Sequence, residues 1–134
     1  MRTGSLLALF AVFFFFASCQ KSQSTSRAID EESLADLRKK IMEQVDTAIC
    51  TDPSAWSFTA LGSKACGGPQ TYIAYPHSID TEAFLQLVKK YNEAERAFNE
   101  KHGVISDCMM ILPPDGIKCV DEKPVLVYSN EHLK

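Results

Sequence analysis

The chain has 134 residues, 14 basic and 17 acidic side chains and a formal net charge of −3. That length suits one small domain with a short extension. The absence of any concentrated basic run excludes nucleic acid as the expected partner, because phosphate recognition needs a clustered basic face.

Taken in chain order, Arg2 is followed by an unbroken apolar run from Leu6 to Phe16, and Ala17 and Ser18 are small. A positive start, an apolar centre and small residues before a cut make the three-part layout of a secretory signal. The run is shorter than the roughly 20 apolar residues a membrane-spanning helix needs. Phe16-Ala17-Ser18-Cys19 resembles the lipobox of bacterial lipoproteins, with phenylalanine where leucine is usual. The resemblance implies that residues 1–18 are removed and that Cys19 carries a diacylglycerol and a palmitate-type acyl chain. Several chains together hold a protein firmly to a membrane, where one does not. Loss of residues 1–18 removes only Arg2 among the charges, taking the net charge to −4.

Residues 19–29, the lipidated cysteine with a serine-rich polar stretch, read as a flexible tether. A single domain is expected over residues 30–128, and residues 129–134 form a polar tail. From Asp30 to Cys50 the apolar residues Leu34, Leu37, Ile41, Val45, Ala48 and Ile49 recur at helical spacing, with Asp30 as cap and Asp52-Pro53 as stop. Trp56 to Leu61 alternates large apolar with small polar residues and reads as a strand. Lys64-Ala65-Cys66-Gly67-Gly68-Pro69 is a loop, and Tyr72 to Tyr75 is a short extended piece closed by Pro76.

A second helix is predicted from Asp80 to His102, with Phe84, Leu87, Val88, Tyr91, Ala94 and Phe98 as its stripe. Asp80 is its cap and Gly103 its C-terminal glycine. Beyond it the sequence predicts a three-strand meander. Its strands are Cys108–Leu112, Ile117–Val120 and Val125–Tyr128, with turns at Pro113–Gly116 and Asp121–Lys123. The order implies an α+β fold: two amphipathic helices packed on a small, mostly antiparallel sheet, stabilised by disulfides.

Cys50, Cys66, Cys108 and Cys119 form an even set once Cys19 is set aside for lipid. They are too widely spaced for a zinc site and suit disulfides in an oxidising compartment. The local arrangement joins Cys50 to Cys66 and Cys108 to Cys119. The nested one joins Cys50 to Cys119 and Cys66 to Cys108, and it is preferred because its longer loops constrain the unfolded chain more. The local set stays open, since Cys108 and Cys119 would face each other across a Pro-Pro-Asp-Gly hairpin.

The loop at Lys64 does not lead into a helix, so it is not a phosphate cradle. Lys64, Tyr72 and Tyr75 are the candidate binding patch, because tyrosines supply amphipathic contact area. His77, His102 and His132 are scattered, and no metal or other cofactor is expected. No G-x-S-x-G or comparable catalytic motif occurs, and Asp80, Asp107 and Glu82 are at most acid–base candidates. Met109 to Leu112 reads as sheet core.

G-S-K-A-C-G-G-P, Y-I-A-Y, S-I-D-T, Y-N-E-A-E-x-x-F-N-E and G-V-I-S-D-C, lying between Phe58 and Cys119, are together similar to a family of small exported lipoproteins of Bacteroidota-type bacteria. The resemblance covers most of the chain after Cys19. It implies a shared fold and disulfides, and it carries over no catalytic residue. The expectation is therefore an exported protein held by lipid to a bacterial membrane, the outer membrane foremost, on its periplasmic face or at the cell surface. It would act without catalysis, as a binding or structural module with an envelope or secreted protein as partner. The alternative is a protease-inhibitor-like protein presenting Pro113–Gly116 or the Cys66 loop. A hydrolase ranks below both.

Overall fold

The computed structural model describes residues 17–129, with side chains from residue 24 onward. The leader residues 1–16, the Cys19 side chain and residues 130–134, including His132, lie outside the described residues. Two compact units are present, Met1–Ser33 and Leu34–Lys134.

Helix α1 spans Ala17–Val45. It starts well before Asp30, so the backbone expected as a tether is helical and Asp30 is not its cap. Residues 19–29 contain neither glycine nor proline, so nothing local breaks a helix there. In the first unit the described side chains are mostly exposed, and Arg27 pairs with Glu31 at 2.8 Å, one turn apart.

The second unit begins with the apolar end of α1. A short 3₁₀ turn at Pro53–Ala55, capped by Asp52, leads into strand β1 (Trp56–Leu61). Strand β2 (Thr71–Pro76) pairs antiparallel with β1, Trp56 opposite Pro76 and Leu61 opposite Thr71. Helix α2 (Thr81–His102) starts at Asp80, whose carboxylate accepts from Ala83 N, and ends at Gly103 with a φ of +58°. Both ends match their sequence signals. Strands β3 (Gly116–Val120) and β4 (Lys123–Val127) form a second antiparallel hairpin.

The architecture is α+β, and the described residues form two α-helices and two separate two-stranded sheets, rather than one sheet. Side chains alternate across a strand, so each face of the β1–β2 hairpin meets a different neighbour. Leu61, Ile73 and Tyr75 point to one face and form the main core with Ile41 and Val45 of α1 and Phe84, Val88 and Tyr91 of α2. Trp56 and Ala74 point to the other face, where they join Cys50, Ile117, Cys119 and Leu126. The second hairpin thus covers one end of the first hairpin's outer face.

Three other expectations are corrected. Helix α1 stops at Val45, not Cys50, and Ile49 is exposed. There the chain is drawn away to the second hairpin, where Cys50 N donates to Glu122 O at 2.8 Å and the Cys50 sulfur bonds Cys119. Cys108–Leu112 is not a strand, and Met109 and Met110 are exposed rather than sheet core. An apolar run becomes a strand only where it lies along an edge, and here Cys108 and the Met109 carbonyl are tied instead to Cys66 and Lys64 of the loop after β1.

Candidate functional site

The disulfides join Cys50 to Cys119 and Cys66 to Cys108, which is the nested arrangement. The first lies within the cluster on the outer face of the first hairpin, and the second is on the surface. The second joins the loop after β1 to the segment after α2.

Lys64 is the centre of that junction. Its ammonium donates to Asp107 Oδ1 at 2.6 Å and to the Met109 carbonyl at 2.8 Å. Asp107 is consequently held below the usual carboxylate range, first by the hydrogen bond from Lys64 and then by its charge. Cys66 N donates to Ser106 Oγ at 3.3 Å beside the disulfide. Gly67 and Gly68, at φ of +95° and +80°, close the turn, with Gly67 N donating to Lys64 O and Lys64 N to Gly68 O. The Lys64-to-Pro69 loop and the Ser106-Asp107-Cys108 segment are therefore one clamped structure.

Polar side chains of α2 hold the other end of this loop. Asn92 Oδ1 accepts from Gly62 N at 2.7 Å, and its amide donates to Ala60 O at 3.1 Å. Glu95 Oε2 accepts from Ser63 N at 2.6 Å and Oε1 from the Tyr91 hydroxyl at 3.1 Å. The buried Asn99 amide donates to Ser63 O at 2.7 Å. Asn92, Glu95 and Asn99 are spaced three and four residues apart, so one helix face reads the backbone where β1 ends. Burial raises the Tyr91 phenol above its ordinary value, against a hydrogen bond from Arg38 that lowers it. The sequence hinted at this lattice only as the run Y-N-E-A-E-x-x-F-N-E.

The predicted patch of Lys64, Tyr72 and Tyr75 does not form. Tyr72 and Tyr75 are three residues apart in β2 and point to opposite faces. Tyr75 is buried against Phe84, ring centroids 5.0 Å apart, and Lys64 is committed to the clamp. Tyr72 remains partly accessible. It meets Phe58 edge-on at 6.1 Å on the outer face and lines a groove of about 550 Å³. Met42 and Val45 from the end of α1, Ala48 just beyond it, and Pro124 and Leu126 of β4 complete its walls. Asp46 and Lys123 add one charge of each sign. A second cleft of about 600 Å³ lies over the Gly67-Gly68 turn, with Arg96 and Glu100 on its α2 side.

Ser57 Oγ and His77 Nε2 are 2.8 Å apart, and the His77 side chain has no second hydrogen-bond partner among the described residues. A histidine base of this kind activates a serine when a third group orients it, and none does so for His77 among the described residues. Asp80 is spent as a cap and Asp107 in the clamp. Among the described residues no three His, Cys, Asp or Glu side chains gather as a metal site, and no helix is long and apolar enough to cross a membrane. Pro114 is buried, Asp115 N donates to Val127 O at 2.8 Å, and the Asp115 carboxylate accepts from Ser129 N. The Pro113–Gly116 turn is therefore tied to β4 rather than presented as a free loop. No family model, curated protein or solved structure matches the chain.

Proposed function

We propose that this protein is a lipid-anchored module of a bacterial cell envelope that works by binding a protein partner rather than by catalysis. The observation that carries the reading is the use of the cysteines. All four after Cys19 are paired in disulfides, which leaves Cys19 alone beside the small residues Ala17 and Ser18. Two disulfides belong to an oxidising compartment, and a spare exported thiol would be reactive there. Acylation of Cys19 removes it.

The groove beside Tyr72 is the partner-binding surface. Its walls are apolar, its aromatic member is half-buried and adaptable, and its two charges sit opposite in sign. The protease-inhibitor alternative would need the Cys66 loop, because the turn at Pro114 is anchored.

Mass spectrometry of the native protein tests the anchor. The expected mass is that of a chain starting at an acylated Cys19, and an unmodified thiol there overturns the reading. For the groove, Tyr72→Ala is expected to lower affinity for a co-purified envelope partner about tenfold or more, with the thermal midpoint little changed. A partner indifferent to that substitution removes the groove from the account.

A further inference from the structure

Among the described residues, the segment after α2 is the most exposed apolar surface. Ile105 is 93 % exposed, Met109 69 %, Met110 80 % and Leu112 40 %. Side chains this open have no wall beside them, so they form a ridge and not a pocket. The backbone beneath is held in place. Cys108 is bonded to Cys66, the Met109 carbonyl accepts from Lys64, and Ser106 accepts from Cys66 N. Four large apolar side chains are therefore presented on a fixed frame, so contact with a partner would cost little ordering.

The charge pattern is as informative as the exposure. From Gly103 to Pro114 the only ionisable side chain outside the disulfide is Asp107, and Lys64 neutralises it at 2.6 Å. A contiguous exposed apolar patch marks a surface for a protein or a membrane, and this one carries its single charge already paired.

From these observations, and resting on the anchor reading above, we propose that Ile105, Met109, Met110 and Leu112 dip into the lipid interface of the membrane that holds Cys19. A convex, electrically neutral ridge suits a deformable lipid surface, which needs no matching cavity. Irregular backbone is excluded from the hydrocarbon centre of a bilayer, so the contact is shallow and lies at headgroup level. The anchor makes it intramolecular, so a weak contact is enough to be populated. The loop would then fix how the domain stands on the membrane and which way the groove beside Tyr72 faces.

The test uses the exported full chain in vesicles of phosphatidylethanolamine and phosphatidylglycerol, treated with hydrogen peroxide and read by mass spectrometry for oxidation at each methionine. In the structure Met109 and Met110 are exposed and Met42 is half-buried, so in free solution Met109 and Met110 oxidise first. On vesicles the order reverses, with Met109 and Met110 slowed at least about tenfold. High salt leaves the slowing intact, because no net charge is involved. Ile105→Asp, at a position with no packing to lose, restores fast oxidation of both. Unslowed oxidation in a protein whose N-terminal peptide is acylated overturns this inference and leaves the anchor standing. An N-terminal peptide without lipid overturns both. Slowing that needs no vesicles and grows with protein concentration assigns the ridge to a second copy and overturns the lipid contact.

Discussion

Gly62 sits where β1 turns toward the Cys66 loop, at a φ of +84°. A Cβ there would lie 2.8 Å from Glu95 Oε2 and 2.9 Å from the Gln70 Cβ. Glu95 cannot retreat without releasing Ser63 N. Gly62→Ala is therefore expected to cost about 2 kcal/mol or more, from backbone strain and the broken contact together. Gly68→Ala carries only the strain, since nothing lies within 4 Å of its Cβ, and is expected to cost about half as much. Urea midpoints of the two variants check the order. Asp107 gives a second prediction at this scale. Its folded pKa is depressed, so the Lys64 clamp contributes fully above the ordinary carboxylate range, about 3.9. The contribution is lost as pH falls through the lower, folded value. Asp107→Asn removes it at every pH. The gap in thermal midpoint between the native protein and this variant is thus expected to be full at neutral pH and to close below about pH 4. A gap that does not change with pH would detach the clamp from stability.

Among the elements, the two hairpins differ in how well their turns suit them. Between β3 and β4, Asp121 and Glu122 both take positive φ, +49° and +61°. That is the geometry for which Asn-Gly is the favoured pair. Glutamate tolerates it because Glu122 O accepts from Cys50 N, which anchors the turn from outside. Glu122→Gly keeps that carbonyl and relieves the side chain, so a gain of about 1 kcal/mol is expected in chemical denaturation. The contrast with α2 is instructive. Its cap, its stripe and its terminal glycine were all written in neighbouring residues, and its bounds are legible to within a residue. The apolar run from Cys108 to Leu112 carries an equally strong local signal, yet it is not a strand. A strand needs a partner edge, and Pro113-Pro114 removes two backbone donors just where a hairpin would have returned.

On the scale of the second unit, the disulfides divide the work. Cys66 and Cys108 are exposed, whereas Cys50 is 2 % exposed inside the second cluster. Mild reductant is expected to open Cys66–Cys108 first, since access governs thiol exchange. The clamp at Lys64 still links the two segments at that stage, and the fold persists. Opening Cys50–Cys119, which spans 69 residues, is expected to remove about 4 kcal/mol in the chain-entropy account and to unfold a domain this small. Alkylation at intervals, read against circular dichroism, gives both the order and the consequence. Loss of structure at the first reduction would reverse these roles.

Helix periodicity, the caps of α2, glycine breakers and the even cysteine count are available from the amino acids alone, because each is a relation among near neighbours or a simple tally. The α+β class followed from them. Whether four strands make one sheet or two, where α1 lets go, which face of β2 carries each tyrosine's burden and whether Met109 and Met110 are covered all depend on what residues far along the chain bring alongside. Tyr75 became core because Phe84 arrives there, and the methionines stay open because nothing described does. Such contacts are made only when the chain closes on itself, and no local pattern encodes the partner that completes them.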